Sequence, residues 1–271
     1  MLIRWGWYSP TETTGLAPTM WAPAHLELRA VRCVEKVPEN FGSPKVRAIL
    51  RTMFAHAEAL AILSATGLSE TVIARLRAIR LLCLDVDGVL SDGHLYFSGY
   101  AASLGAAETA SSALPSGQGG SPSGVPNTAL SEVSLSIPKD AQWTQRFSVR
   151  DGVGIKLLQQ AGIQVAILSE GALLSGRARA QSLKIEHAYF GLSSKVETFH
   201  VLLAKLGLTA AQAAFVGDEV SDLPLLREVA FSATVPDAVA QVRAAVHYVT
   251  QRPGGAGAVR EVADMIRAAQ S

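Results

Sequence analysis

The sequence predicts an α/β fold, a doubly wound parallel sheet with helices on both faces. Three observations predict it. From Leu81 onward, short apolar runs alternate with helical patterns to the C-terminus, the signature of a parallel sheet wrapped by helices. Acidic residues follow directly on two of those runs, in LLCLDVDG and AAFVGD, where strands of such a sheet present groups to a ligand. The 271 residues, 49% of them hydrophobic, are enough to fill one good core.

The elements follow in order. Residues 1–42 hold three of the four tryptophans and show no clear periodicity, so they read as an irregular extension. A helical pattern begins near Ser43 and runs to residue 80 as an N-terminal helical segment. Within it, SETVIARLRAIR sets Val72, Ile73, Leu76 and Ile79 on one face behind a capping Ser69. Residues 81–271 form the sheet domain. Its strands are expected at Leu81–Val86, Gln164–Leu168, Ala188–Phe190, Ala213–Val216, Phe231–Val235 and His247–Thr250. Helices are expected near Gly154–Gln160, Leu173–Leu183, Lys195–Leu206, Asp222–Val229, Asp237–Ala245 and Ala258–Ala269.

One stretch breaks the alternation. Residues from about 99 to 142 are rich in Ala, Ser, Gly and Pro and read as a low-complexity loop insertion, too poor in apolar groups to order itself. Its flanks, His94–Phe97 and Trp143–Val149, alternate polar and apolar residues and are expected to pair as a β-hairpin after the first strand.

Composition excludes several classes of partner. With 24 basic and 23 acidic residues the net charge is +1, so no electrostatic footprint for nucleic acid exists. The most apolar helical stretch, Phe54–Ile73, is interrupted by His56, Glu58, Gly67 and Glu70, which argues against a membrane span. The N-terminus shows no unbroken apolar stretch of the secretory kind. Two cysteines, Cys33 and Cys83, make neither a disulfide framework nor a zinc signature. A soluble, cytoplasmic protein is expected.

The residues able to do chemistry lie at strand ends. Asp85 and Asp87 close the first strand run, with Gly88 giving the chain a sharp turn. Ser169 ends VAILS, Lys195 opens a helix after GLSS, and Asp218 and Asp222 lie in GDEVSD. Each alone has an ordinary reading as a cap, a turn residue or a solvated lysine. Together they bring a hydroxyl, an ammonium and four carboxylates to one edge of one sheet. Phosphoryl transfer needs this set: a carboxylate nucleophile, cationic and hydroxyl donors for the phosphoryl oxygens, and a cation between the crowded acids, for which hard oxygen ligands suit Mg²⁺.

The order DVDG, Ser, Lys, GDxxxD resembles the four motifs of the haloacid dehalogenase (HAD) superfamily. The strings LLCLDVDGVLSDG, FSVRDGVGIKLL, FVGDEVSDLPLL and RPGGAGAVREV are similar to those of the 3-deoxy-D-manno-octulosonate 8-phosphate (Kdo 8-phosphate) phosphatase family. Its relatives include ketodeoxynonulosonate (KDN) 9-phosphate phosphatases and the phosphatase-like domain of animal N-acylneuraminate cytidylyltransferases. The resemblance implies a capless, HAD-like (Rossmannoid) fold and a magnesium-dependent phosphatase of a 2-keto-3-deoxy sugar acid. It implies Asp85 as nucleophile, Asp87 as general acid and then base, and Ser169 and Lys195 as phosphoryl clamps. Asp85, the Asp87 carbonyl and Asp218 would hold Mg²⁺, and Asp222 would orient Lys195 or a metal-bound water. Glu170, Arg150 and Arg260 would meet the substrate. It also implies a homotetramer, in which the hairpin and the tail motif Arg252, Gly254, Gly255, Gly257, Arg260 of a neighbour help close each site. An alternative is a retired domain acting in oligomerisation, as in the animal cytidylyltransferases, whose GDxxxD box opens with Asn where this chain has Asp218. The chain departs from the Kdo 8-phosphate pattern at Glu170, where that family has Gly-Arg after a threonine; the KDN 9-phosphate phosphatases it also resembles carry Glu there, so the substrate is expected to be a nine-carbon acid phosphate or Kdo 8-phosphate, with Glu170 favouring the former.

Overall fold

The computed structural model describes residues 43–98 and 142–271. The irregular extension at 1–42 and nearly all of the insertion lie outside the described residues. The chain divides into two compact units at Gly67/Leu68. In the first, α1 (Pro44–Thr66) starts on Ser43, whose Oγ accepts from the Val46 N–H, and has a proline in its first turn.

The second unit opens with α2 (Glu70–Ala78), capped by Ser69, with Ile73 and Leu76 buried. There follow β1 (Leu81–Leu84), the hairpin strands β2 (Tyr96–Ser98) and β3 (Gln142–Thr144), α3 (Val149–Gln160), β4 (Gln164–Ser169), α4 (Leu174–Ser182) and β5 (His187–Phe190). The remainder is α5 (Lys195–Leu206), β6 (Ala213–Val216), α6 (Leu223–Glu228), β7 (Phe231–Thr234), α7 (Ala240–Arg243), β8 (Tyr248–Val249) and α8 (Ala258–Ala269).

Six strands form a parallel sheet in the order β5-β4-β1-β6-β7-β8. Strand β1 pairs on one side with β4 (Leu84 opposite Ile167) and on the other with β6 (Leu84 opposite Val216). The winding reverses at β1, so the residues just beyond Leu84 emerge at the switch point of the sheet, where ligands bind in such folds. Every residue of β1 and β6 is buried, as strands covered on both faces must be, which is why they read as unbroken apolar runs. Successive side chains point to opposite faces. Leu81, Cys83 and Phe215 join Phe199, Leu202 and Leu203 of α5, Leu225 and Leu226 of α6 and Val242 of α7 in one core cluster. On the other face α3 packs on α8, and α8 on α2.

Some elements differ from the sequence reading. The hairpin pairs Tyr96 with Thr144 and Ser98 with Gln142, with a further bridge between Ser91 and Phe147; Val149 belongs instead to α3. That helix starts five residues before the expected Gly154 because Ser148 caps it, its Oγ accepting from the Arg150 N–H. Its glycines weaken the helical pattern but serve packing: a β-carbon on Gly154 would lie 2.9 Å from Arg260 Cα on α8. Helix α7 and strand β8 are shorter than Asp237–Ala245 and His247–Thr250.

The tail motif packs against the turn that follows β1 in the same chain. The Gly255 N–H donates to Val89 O (3.0 Å), and a β-carbon on Gly254 would overlap Gly88 O. Asp151, fully buried, accepts from the N–H groups of Gly257 and Arg260, and Glu261 accepts from those of Gln251 and Arg252. The colliding atom is backbone and has no rotamer to escape into. Gly254→Ala is therefore expected to cost about 3 kcal/mol in urea unfolding and to lower turnover by displacing the Gly88 turn.

Candidate active site

The side chains at the carboxyl edge converge because each follows its strand directly. The Asp85 N–H donates to Val216 O (3.0 Å), prolonging the β1–β6 ladder by one residue before the chain turns. Gly88 then takes φ +82°, and a β-carbon there would overlap Asp218 Oδ2. Only glycine both permits that backbone and leaves room for the carboxylate arriving from β6. A short helical turn, Val220–Asp222, folds Asp222 back so that its Oδ2 accepts from the N–H groups of Asp218 (2.9 Å) and Glu219 (3.1 Å). Beneath it the Thr234 hydroxyl donates to Gly217 O at 2.6 Å.

Lys195 opens α5 behind Ser194, whose Oγ accepts from the Glu197 N–H. Its ammonium, 5% exposed, donates to Asp222 Oδ1 at 2.5 Å and lies 3.1 Å from Asp85 Oδ1. Burial alone would lower its pKa, but Asp85 and Asp222 raise it overall, so it stays charged. Both oxygens of Asp222 are thereby engaged, Oδ1 by the Lys195 ammonium and Oδ2 by the Asp218 and Glu219 N–H groups.

These residues border a cleft of about 280 Å³ lined by Asp85, Asp87, Gly88, Lys195, Asp218 and Glu170, among others. Ser169 is 1% exposed at the end of β4, its Oγ accepting from the Gly171 N–H (3.1 Å). Asp222 lies fully buried behind Lys195. Arg150 is exposed on α3, and Arg260, on α8, pairs through Nε with Asp264 Oδ2 at 2.8 Å; neither lines the cleft in this chain. Sequence reasoning missed Gln145, just after β3, whose Nε2 donates to Asp87 Oδ1, and Glu219 and Ser221 on the rim. An isolated glutamine in a hairpin arm gives no signal, whereas Glu219 and Ser221 sit inside the GDEVSD box. A larger groove of about 540 Å³, lined by Arg77, Arg80, Gly162 and Gln270, lies at the opposite, amino edge of the sheet and holds no carboxylate.

Crowding dominates the electrostatics. Burial first, with the Asp222 carboxylate adding and Lys195 only partly offsetting, pushes Asp85 up to about 7. Burial and then the charges of Asp85 and Asp222 push Asp218 up to about 8. Carboxylate oxygens of Asp85, Asp218 and Asp222 lie within 4.8 Å of one another, and Asp218 Oδ1 is buried without a hydrogen-bond partner. Orphaned, mutually repelling oxygens of this kind fit a hard divalent cation such as Mg²⁺, which takes the place of the protons.

A carboxyl whose folded pKa is raised stabilises the metal-free protein below its unfolded value, 3.8 here, and that contribution is lost as pH rises through about 7 to 8. A cation occupying the same oxygens helps most where the protons have left. In thermal melts, Mg²⁺ at a hundred times its pH 8 Kd is expected to add about 2.7 kcal/mol at pH 8, and the same concentration distinctly less at pH 5.5, where protons on the carboxyls compete and raise the Kd. An equal gain at both values would contradict the assignment.

No family model matches the chain. It is 35% identical over 202 residues to the 3-deoxy-D-manno-octulosonate 8-phosphate phosphatase of Yersinia pestis, covering 74% of this chain and 87% of that protein. The crystal structure of the Yersinia pestis phosphatase superposes with a TM-score of 0.58 at 34% identity, covering 74% of this chain and 87% of that one. The phosphatase of the same description from Moraxella catarrhalis, in complex with magnesium ion, phosphate ion and a KDO molecule, gives 0.57 at 30% identity, covering 73% and 91%.

Proposed function

The chain belongs to the Kdo 8-phosphate phosphatase family of the HAD superfamily, and from that premise we propose that it hydrolyses the phosphate monoester of a 2-keto-3-deoxy sugar acid through an aspartyl-phosphate on Asp85. The observation that carries this reading is the buried Asp85 carboxylate held 3.1 Å from the Lys195 ammonium at the switch point of the sheet, beside the orphaned Asp218 oxygen.

The substrate phosphate enters the cleft and an Asp85 oxygen attacks phosphorus in line with the departing sugar oxygen. Asp87 gives that oxygen its proton, and the sugar leaves as an alcohol. A water then attacks the aspartyl-phosphate while Asp87 takes its proton, releasing inorganic phosphate and restoring Asp85. Lys195, held by Asp222, offsets charge on the phosphoryl oxygens, and the Ser169 hydroxyl donates to one of them. The carboxylates of Asp85 and Asp218 and the backbone carbonyl of Asp87 would hold Mg²⁺, which when bound would supply positive charge against the transferring phosphoryl group. The alternative of a retired, oligomerising domain loses its basis, because every acid of the set is present.

Phosphate release from Kdo 8-phosphate, KDN 9-phosphate and N-acetylneuraminate 9-phosphate, with and without Mg²⁺, tests the reading. Magnesium-dependent release from at least one of them is expected; release from none would overturn it. The relatives favour the eight-carbon acid. Glu170 favours the nine-carbon ones: it is exposed and lines the cleft, so a substrate hydroxyl chain can donate to it, while it repels a carboxylate. Glu170→Arg is expected to move the kcat/KM ratio toward Kdo 8-phosphate by about tenfold, the worth of one charged hydrogen bond. An unchanged ratio would return the residue to a role at the start of α4.

The hairpin exposes Leu95, Tyr96, Phe97 and Trp143, with Phe97 and Trp143 ring centroids 5.0 Å apart, and α3 exposes Val149 and Val153. Apolar groups concentrated beside a site are what a neighbouring copy covers, and they support the homotetramer, with Arg150 and Arg260 meeting substrate across its interfaces. A monomer by light scattering would remove that part. Among the described residues no helix is long and apolar enough to cross a membrane. With a small-molecule sugar-acid phosphate as substrate, we place the enzyme in the cytoplasm.

A further inference from the structure

Gln145 follows β3 at the foot of the hairpin, and both ends of its amide are engaged. Its Nε2 donates to Asp87 Oδ1, and its Oε1 accepts from the Ser175 hydroxyl of α4 at 2.7 Å. A second contact of Nε2, to Ser91 Oγ, is long at 3.5 Å. A carboxylate accepts only, so the amide must turn its NH₂ toward Asp87, and Ser175 is placed to donate to the oxygen at the other end. The other carboxylate oxygen, Oδ2, lies against Gly171 on the cleft wall. Three separate segments, the turn after β1, the hairpin and α4, thus meet in one chain of hydrogen bonds that ends on Asp87.

We propose that Gln145 is the positioning residue for Asp87: it fixes the rotamer from which the Asp87 carboxyl passes its proton to the leaving oxygen, and Ser175 fixes Gln145 in turn. The proposal rests on the reading of Asp87 as general acid. Neither Gln145 nor Ser175 lines the cleft. An unanchored carboxyl samples several rotamers, and an acid misplaced by about 1 Å costs up to about 100-fold in rate.

The test uses two esters and kcat/KM, which covers the steps up to departure of the leaving group. A sugar-acid phosphate loses an alkoxide that needs the proton, whereas p-nitrophenyl phosphate loses a phenolate that does not. Gln145→Met keeps the shape and deletes both hydrogen bonds. It is expected to lower kcat/KM about 30-fold for the sugar ester and less than about threefold for the aryl ester. Ser175→Ala should show the same selectivity more weakly, and serves if Gln145→Met fails to fold. In an Asp87→Asn background Gln145→Met should cost nothing further, since the group it positions has lost its proton. Equal losses on the two esters, or an additive loss in the double variant, would overturn the proposal. If Asp87→Asn itself slows both esters alike, the assignment of Asp87 as general acid fails first and takes the role of Gln145 with it.

Discussion

Asp85→Asn is expected to abolish phosphate release, by about 10⁴-fold or more, in a protein that remains folded. The amide has the shape of the carboxylate but cannot form the aspartyl-phosphate, so the loss falls on kcat. Folding is spared for an electrostatic reason. Asp85 is 6% exposed, and its carboxylate is raised to about 7 by burial and the Asp222 charge, so in the metal-free protein it is a poor place for negative charge. Its neutral replacement relieves that cost while Lys195 keeps its 2.5 Å bond to Asp222. Circular dichroism melts without metal should place the variant at or above the wild type. Adding Mg²⁺ should then raise Tm less than in the wild type, because one of the anionic oxygens is gone. Turnover within tenfold of wild type would sink the assignment of Asp85 as nucleophile.

The parts of the fold legible in the sequence were those whose local signals agreed. Strand β6 and helices α5 and α8 have the expected bounds, Ala213–Val216, Lys195–Leu206 and Ala258–Ala269. A fully buried strand is apolar throughout, α5 lies between capping Ser194 and Gly207, and α8 repeats Val259, Val262, Ala263 and Ile266 at helical spacing. Helix α3 was misjudged at its start because Gly152 and Gly154 answer to neighbours distant in sequence, Arg179 and Leu183 in one case and Arg260 in the other. The cleft residues Asp85, Asp87, Lys195 and Asp218 were found because each lies at or just beyond a strand end, a place that the alternation of elements predicts. Gln145 was not, since its meaning comes from Asp87, 58 positions earlier, and Ser175, 30 later. Pairing of that kind is tertiary and leaves no mark on local pattern. The tail glycines were recognised as a motif, but their reason, the close approach of Gly254 to Gly88 O, needed the fold.

Lys195→Met is expected to be the most destabilising of the single changes considered, and to lose turnover as well. The ammonium is the shared counter-charge of Asp85 and Asp222, and removing one partner of a buried pair leaves the others uncompensated, at a cost of about 3–5 kcal/mol. That is a large share of the roughly 5–15 kcal/mol by which a domain is stable. The cost depends on pH through the carboxylates, not the lysine: the pKa of Lys195 is raised above 10.5, so it is charged in both folded and unfolded protein throughout the neutral range. Without it the folded pKa values of Asp85 and Asp218, already about 7 and about 8, rise further. A carboxyl raised in this way helps the folded state at acid pH and stops helping as pH climbs to its folded value, so the deficit of the variant should widen between pH 5.5 and pH 8. Urea titrations at the two pH values measure it directly. Asp222→Asn introduced into Lys195→Met should recover part of the loss at pH 8, because it removes one of the stranded charges while its amide oxygen still accepts, more weakly, from the Asp218 and Glu219 N–H groups. A deficit that stays the same at both pH values, or a double variant no more stable than Lys195→Met, would mean that the lysine acts here by packing against Phe215, whose ring centre is 5.9 Å from its ammonium, and not by charge.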